Sequence, residues 1–262
     1  MRSYEWATRQ KALAMLRNGS RNVDVSRKLG IPVGTVSYWR HLDRSARGVC
    51  PRRSAPECPL CDPVPLAAKA YAYLLGLYLG DGHVVQNRAM RVPSLSVWCT
   101  DTWPGLIEAC ANAMRAVLPG CGVTRVQRSG CQELKIYSRH VHCLFPQHGP
   151  GKKHERAIAL SDWQQAAVDT YPWEFVRGLV HSDGCRITNW TMRVVGGVTK
   201  RYEYPRYFFT NRSDDIRRLF TDTLDKLGVE WTHCTRNGNP YNVSVARRAS
   251  VALMDAHVGA KY

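Results

Sequence analysis

With 262 residues, the chain matches one large or two small domains of roughly 150 residues each, enough to bury a core without covalent staples. Hydrophobic residues at 44% and charged residues at 22% exclude wholesale disorder, a collagen-like repeat and a coiled coil. Lys and Arg number 37 against 21 Asp and Glu; the net charge of +16 points to a polyanion, with nucleic acid the leading partner over a merely solvated surface.

The opening MRSYEWATRQ lacks the apolar stretch of a signal peptide, and the longest apolar run, from Ala70 to Gly80, is too short to span a bilayer. A cytoplasmic, nucleoid-associated protein with no membrane partner is expected. Its ten cysteines should then stay largely reduced, as small core residues or metal ligands.

Residues 1–48 read as a small all-α module. A helix from Trp6 to Arg17 places Trp6, Leu13 and Leu16 near one face, and breaks follow at Asn18-Gly19-Ser20 and Gly30-Ile31-Pro32. Val23, Val25 and Leu29 punctuate a second helix; Val33, Val36 and Trp39 punctuate a third. The pattern G-x-P-x-x-T-V-x-x-W-R resembles the turn and recognition helix of bacterial helix-turn-helix domains. That resemblance implies that Ser37, Tyr38 and Arg40 reach base edges or phosphates in the major groove.

Residues 49–65 form a Pro- and Arg-rich, Cys-containing linker. The spacing Cys58-x-x-Cys61 suits half of a tetrahedral zinc knuckle, with Cys50 as a third thiolate. No fourth ligand is evident locally. His41 is the nearest candidate, and a plain linker without structural Zn²⁺ is the competing reading.

The rest of the chain divides into two similar stretches, 66–160 and 161–262. Each opens with an apolar helix ending in Asp-Gly: Leu74-Leu75-Gly76-Leu77-Tyr78-Leu79-Gly80-Asp81-Gly82 and Val176-Arg177-Gly178-Leu179-Val180-His181-Ser182-Asp183-Gly184. Gly76 with Gly80, and Gly178 with Ser182, leave a flat strip along each helix that lets the two approach closely. Downstream, Leu95-Ser96-Val97-Trp98 precedes a helix from Gly105 to Val117, and Val123 to Tyr137 turns over at Ser129-Gly130. Tyr207-Phe208-Phe209-Thr210 likewise precedes a helix from Asp214 to Leu227, and Val229 to Val245 turns over at Asn237-Gly238, a strong hairpin signal. Final helices at Arg139 to Phe145 and Arg248 to His257 each lead to a lysine. Two copies of one αββαββα unit account for this order.

At these residues the chain resembles the LAGLIDADG homing endonucleases of the single-chain, two-motif type. The resemblance implies an α+β fold in which two pseudo-twofold αββαββα repeats form a saddle of antiparallel sheets in a monomer. It also implies divalent-metal-dependent hydrolysis of two phosphodiester bonds in double-stranded DNA. Asp81 and Asp183 would bind Mg²⁺ or Mn²⁺. An Asp at a helix C-terminus faces the negative end of the dipole, and two neighbouring carboxylates do not both ionise cheaply without a cation. Asp101 and Asn211 match the family's water-positioning residues. Lys152, with Lys153 as an alternative, and Lys261 match its basic ones. Arg125, Arg128, Lys135, Arg193, Lys200, Arg201, Arg206 and Arg236 are candidate readers of bases and phosphates on the sheets. Two other functions share these electrostatics: a DNA-binding regulator that keeps the fold without cleavage, and a maturase acting on intron RNA.

Overall fold

The computed structural model describes residues 4–48, 58–85, 92–236 and 238–262, and the chain separates into two compact units, Met1–Ala55 and Pro56–Tyr262. The Cys-x-x-Cys segment belongs to the second unit, although the sequence reading placed it in a linker.

The first unit holds three helices, α1 (Trp6–Arg17), α2 (Asn22–Leu29) and α3 (Val33–Ala46). Its core is Ala12, Leu13, Leu16, Val25, Ile31, Val36 and Trp39. Trp6, Val23 and Val33 were expected on apolar faces, yet all three are exposed, Trp6 to 75%. Trp6 is the first residue of α1, nearly two turns before Ala12, the first buried core residue of that helix. Tyr4 packs against this core, edge-on to Trp39 at 5.5 Å between ring centroids.

In the second unit the elements run α4 (Ala68–Leu79), β1 (Gly82–Val85), β2 (Ser94–Thr100), α5 (Pro104–Val117), β3 (Val123–Arg128), β4 (Cys131–Tyr137) and α6 (Val141–Leu144). After α7 (Asp162–Thr170) the order recurs as α8 (Pro172–Asp183), β5 (Gly184–Val195), β6 (Val198–Thr210), α9 (Asp214–Lys226), β7 (Thr232–Arg236), β8 (Asn239–Val245) and α10 (Arg248–His257). Both halves build a four-stranded antiparallel sheet, β1-β2-β4-β3 and β5-β6-β8-β7, so the duplicated αββαββα order yields the same strand order twice. Helix α7 has no equivalent in the sequence reading. Its signal was the capping-box spacing Ser161-x-x-Gln164: the Gln164 side-chain oxygen accepts from the Ser161 backbone N–H at 3.0 Å.

Helix α4 is apolar around nearly its whole circumference and is buried from Tyr71 to Leu79, as a helix covered on all sides must be. It packs against α8 along the strip of small residues. A Cβ on Gly76 would stand 2.5 Å from the Phe175 carbonyl oxygen, and one on Gly178 would stand 2.2 Å from that of Tyr73. The two backbones therefore touch, with no room for a side chain between them. Around this seam the inward-facing strand residues Leu95, Val97, Leu134, Ile136, Tyr207, Phe209, Val243 and Val245 join one continuous core. Hairpin β5–β6 extends far beyond it, and the turn at Gly196-Gly197 takes positive φ at both residues (60° and 77°), a conformation that suits glycine in a two-residue hairpin. Among the described residues no helix is long and apolar enough to cross a membrane.

The α4–α8 seam makes a direct prediction. Gly178→Ala or Gly76→Ala should cost about 1–3 kcal/mol through backbone overpacking. That loss corresponds to a drop in Tm of about 2–4 °C per kcal/mol for a unit of this size. Gly122→Ala, where nothing lies within 4 Å, should leave Tm unchanged. Thermal melts of the three variants check this.

Candidate active site and nucleic-acid surface

The close approach of α4 and α8 brings the two motif acids to one place. A Cβ on Gly80 would lie 3.2 Å from the Asp183 carboxyl carbon, so that carboxyl rests against the backbone immediately before Asp81. Asp183 is half-buried. Burial, reinforced by the negative charge of Asp81, pushes its carboxyl up to about 6, against the opposing pull of Asn211, Lys153 and Lys261. Asp81 keeps solvent contact, but the crowding around it also raises its carboxyl, with Lys261 and Lys153 acting in the other direction.

Each acid has a lysine of its own half beside it, gripping backbone rather than carboxylate. The Lys153 Nζ donates to the carbonyl oxygens of Tyr78 (2.6 Å), Gly80 and Gly82 (2.8 Å). Lys261 Nζ donates to the carbonyl of Ser182 at 2.8 Å. Gly80 precedes Asp81 and Ser182 precedes Asp183, so both lysines hold the carbonyl just before the acid. These are helix-end carbonyls, which lack intrahelical donors and carry the negative pole of the dipole. Burial lowers the Lys153 ammonium to about 8, with Asp183 and Asp81 opposing; it lowers Lys261 in the same direction. Lys152, the first choice from sequence, is exposed and pairs with Glu155 at 3.6 Å, so of the two alternatives Lys153 is the one that turns toward the acids. Adjacent lysines in a loop point opposite ways, and their spacing alone does not tell which one turns inward.

The water-positioning candidates separate. The Asn211 side-chain amide donates to Asp183 Oδ2 at 2.6 Å, beside the acid as expected. Asp101 is exposed and accepts instead from the Gln127 amide at 2.8 Å. A residue that sequence reasoning passed over also lies in the seam. His181 is buried, its Nδ1 2.9 Å from the Tyr73 hydroxyl, and burial lowers its imidazole to about 4, so it packs as a neutral ring.

Asp81 and Asp183 offer carboxylate oxygens whose charged forms are disfavoured by burial, with the charge of Asp81 adding to the effect at Asp183. A hard, oxygen-seeking divalent cation such as Mg²⁺ or Mn²⁺ would stabilise both, so the donor set fits such an ion.

Strand alternation sorts the basic residues of the sheets into two faces. Arg128, Lys135, Arg193, Lys200 and Arg206 stand on the face turned away from the core residues. Arg125 lies opposite Leu134, on the helix side, and its guanidinium meets Glu108 of α5 at 2.5 and 2.7 Å. Arg201 shares the face of Tyr207 and sits over the Trp190 ring. These two therefore leave the common basic face expected from sequence, because the side a strand residue takes is set by register. The Arg236 side chain lies outside what is described. Arg206 donates to the Ser244 hydroxyl at 2.5 Å. Arg128 and Lys135 converge on buried Glu133, at 3.0 and 2.9 Å, and Ser96 donates to the same carboxylate at 2.8 Å.

In the first unit Tyr38 is exposed to 58%. Ser37 and Arg40 are tied to α2 through Asn22, whose amide donates to the Ser37 hydroxyl at 2.8 Å and whose oxygen accepts from Arg40 at 2.9 Å. Asn22 was not singled out in the sequence.

Of the thiolate candidates, Cys50 lies outside the described residues. Cys58 and Cys61 meet His140 and Cys143, so the partners of the Cys-x-x-Cys pair come from far downstream. His41, the nearest candidate in sequence, belongs to the first unit.

The Glu133 cluster predicts an acid-sensitive first sheet. Burial alone would raise this carboxyl, but Lys135, Ser96 and Arg128 outweigh it and hold it at about 2, below its ordinary value. A depressed folded-state value adds stability above the unfolded pKa, and that stability is lost as pH falls toward 2. Glu133→Gln should cost about 1–3 kcal/mol near neutrality and flatten the decline in Tm between about pH 4.5 and 2. Melts across that range test it.

No family model and no curated protein matches the sequence. Among solved structures the fold is similar to I-DmoI in complex with DNA and Mn, at 15% identity and a TM-score of 0.49, covering 74% of this chain and 98% of that one. The LAGLIDADG meganuclease I-AabMI bound to uncleaved DNA gives 11% identity and a TM-score of 0.45, over 71% of this chain and 83% of that one. The LAGLIDADG homing endonuclease I-LtrWI bound to target DNA gives 10% identity and a TM-score of 0.45, over 72% and 84%. Structural neighbours of this chain are thus LAGLIDADG homing endonucleases.

Proposed function

We propose that the chain is a site-specific, divalent-metal-dependent endonuclease of the LAGLIDADG homing type that cuts both strands of a DNA duplex. The observation that carries this reading is the meeting of Asp81 and Asp183 at the α4–α8 seam, with Lys153 and Lys261 anchored to the carbonyls beside them. Two acids from duplicated halves provide one centre that faces two strands alike.

Asp81 and Asp183 would hold the cation, which when bound acidifies a coordinated water and offsets charge at the scissile phosphates. Asn211, bonded to Asp183, fixes the orientation of that carboxylate and keeps one oxygen occupied. Lys153 and Lys261, held near both acids, place positive charge where a phosphate acquires negative charge in the transition state. Arg128, Lys135, Arg193, Lys200 and Arg206 supply the phosphate- and base-contacting face, and the first unit adds a second contact through α3. The three-helix unit with exposed Tyr38 also favours a second reading, a regulator that binds DNA without cutting.

Duplexes drawn from the genomic neighbourhood of the coding sequence, together with a randomised duplex library, should yield a target cut on both strands in Mg²⁺. Asp81→Asn and Asp183→Asn should each abolish cleavage and retain binding. Lys153→Met should lower the cleavage rate by about 10²–10³-fold, the usual effect of losing a transition-state donor, and Lys152→Met should leave it unchanged. Tight, sequence-specific binding with no cleavage in either Mg²⁺ or Mn²⁺ would replace the nuclease with the regulator.

A further inference from the structure

The second unit contains a constellation far from the motif acids in chemistry. Cys58, Cys61, His140 and Cys143 each direct one ligand atom to a common point, and all four atoms lie within 4.8 Å of one another. Cys61 Sγ is 3.7 Å from Cys143 Sγ, and Cys143 Sγ is 4.0 Å from His140 Nδ1. Around a tetrahedral zinc with Zn–S of about 2.3 Å, sulfur atoms stand about 3.8 Å apart, and a sulfur and a nitrogen slightly less. The Cys61–Cys143 spacing is that of two corners of such a tetrahedron, and the remaining ligand atoms, all within 4.8 Å of one another, stand close enough to draw in around one ion. That spacing is too long for a disulfide, whose sulfurs lie about 2 Å apart.

The backbone is arranged to present these atoms. After Cys58 the chain turns tightly: the Cys58 carbonyl accepts from the N–H groups of Cys61 (3.0 Å) and Asp62 (2.8 Å), and the Asp62 carboxylate accepts from the Cys58 N–H at 2.7 Å. This knuckle places both thiols on one side. On the facing segment, His140 and Cys143 are three residues apart across the single turn of α6, with the His140 N–H donating to the Ser138 hydroxyl at 3.1 Å. The result is a Cys-x-x-Cys and His-x-x-Cys pair, three soft thiolates and one imidazole, which is a donor set for zinc and a poor one for Mg²⁺.

Comparison of the halves supplies an independent reason for a staple here. The last helix of the second half, α10, runs ten residues and buries Ser250, Val251 and Met254. Its counterpart α6 has four residues and buries Val141 and Leu144. One helical turn is not stable through its own hydrogen bonds, and the 58–67 segment that faces it has no helix or strand of its own.

We infer that Cys58, Cys61, His140 and Cys143 bind one structural zinc ion, which fastens the start of the second unit to the shortened last helix of its first repeat. The site is independent of the proposed nuclease centre. All four positions are filled by protein, so the ion has no open coordination place for substrate and serves folding alone.

The test uses the full chain, produced with zinc in the medium and purified without chelators, and reads metal content by mass spectrometry. About one zinc per chain is expected, retained in an Asp81→Ala/Asp183→Ala double variant and lost in Cys58→Ser/Cys143→Ser. Should the cysteine variant fail to fold, exchange of Co²⁺ into the wild-type chain decides. Strong thiolate-to-cobalt charge-transfer bands with intense tetrahedral d–d bands support the site. Zinc below about a tenth of an equivalent, bound iron, or a Co²⁺ spectrum without thiolate bands would overturn it. Retention of zinc by a folded cysteine variant would do the same.

Discussion

Contact between two helix backbones, α4 and α8, is the constraint on which the rest of the second unit depends. Glycine at positions 76 and 178 allows carbonyl oxygens of one helix to approach the other at distances that any side chain would block. Helix α4 is apolar around nearly its whole circumference because it is covered on its remaining sides as well. The C-terminal ends of the two helices are consequently forced together, and whatever those ends carry must share one small volume. They carry two carboxylates, and burial, with the neighbouring charge of Asp81 adding to it, leaves Asp183 with a proton affinity above that of a free aspartate.

The lysines show how that volume is made habitable. Direct ion pairs would neutralise the acids and compete with any cation they hold. Lys153 and Lys261 instead spend their hydrogen bonds on the carbonyls one residue earlier, which would otherwise be unpaired at the helix ends. Positive charge is thus kept close to the carboxylates while carboxylate oxygens remain free for other ligands.

Much of this was legible in the sequence. Duplicated Asp-Gly helices, the small-residue strip and the matching hairpins follow from spacing and periodicity, which are local signals repeated twice; Asn211 came only through the resemblance those signals carry. What failed was long-range or directional. Lys153 differs from Lys152 only in which way a loop residue turns. Arg125 faces Glu108 because its register opposite Leu134 puts it on the helix side, and register depends on a pairing between strands. The partners of Cys58 and Cys61 lie about eighty residues on, beyond the reach of any spacing rule applied to one segment. Trp6 sits outside a core whose edge is set by three helices together.

The halves have also drifted apart. Asn211 serves Asp183 whereas Asp101 turns to Gln127, a ten-residue helix in one half corresponds to a four-residue one in the other, and one half carries a cluster of thiols. In a homodimer a single codon change alters both copies at once, so neither subunit can specialise. Fusion in one polypeptide removes that restriction: each half mutates separately, and the molecule is free to accommodate a ligand whose left and right arms differ.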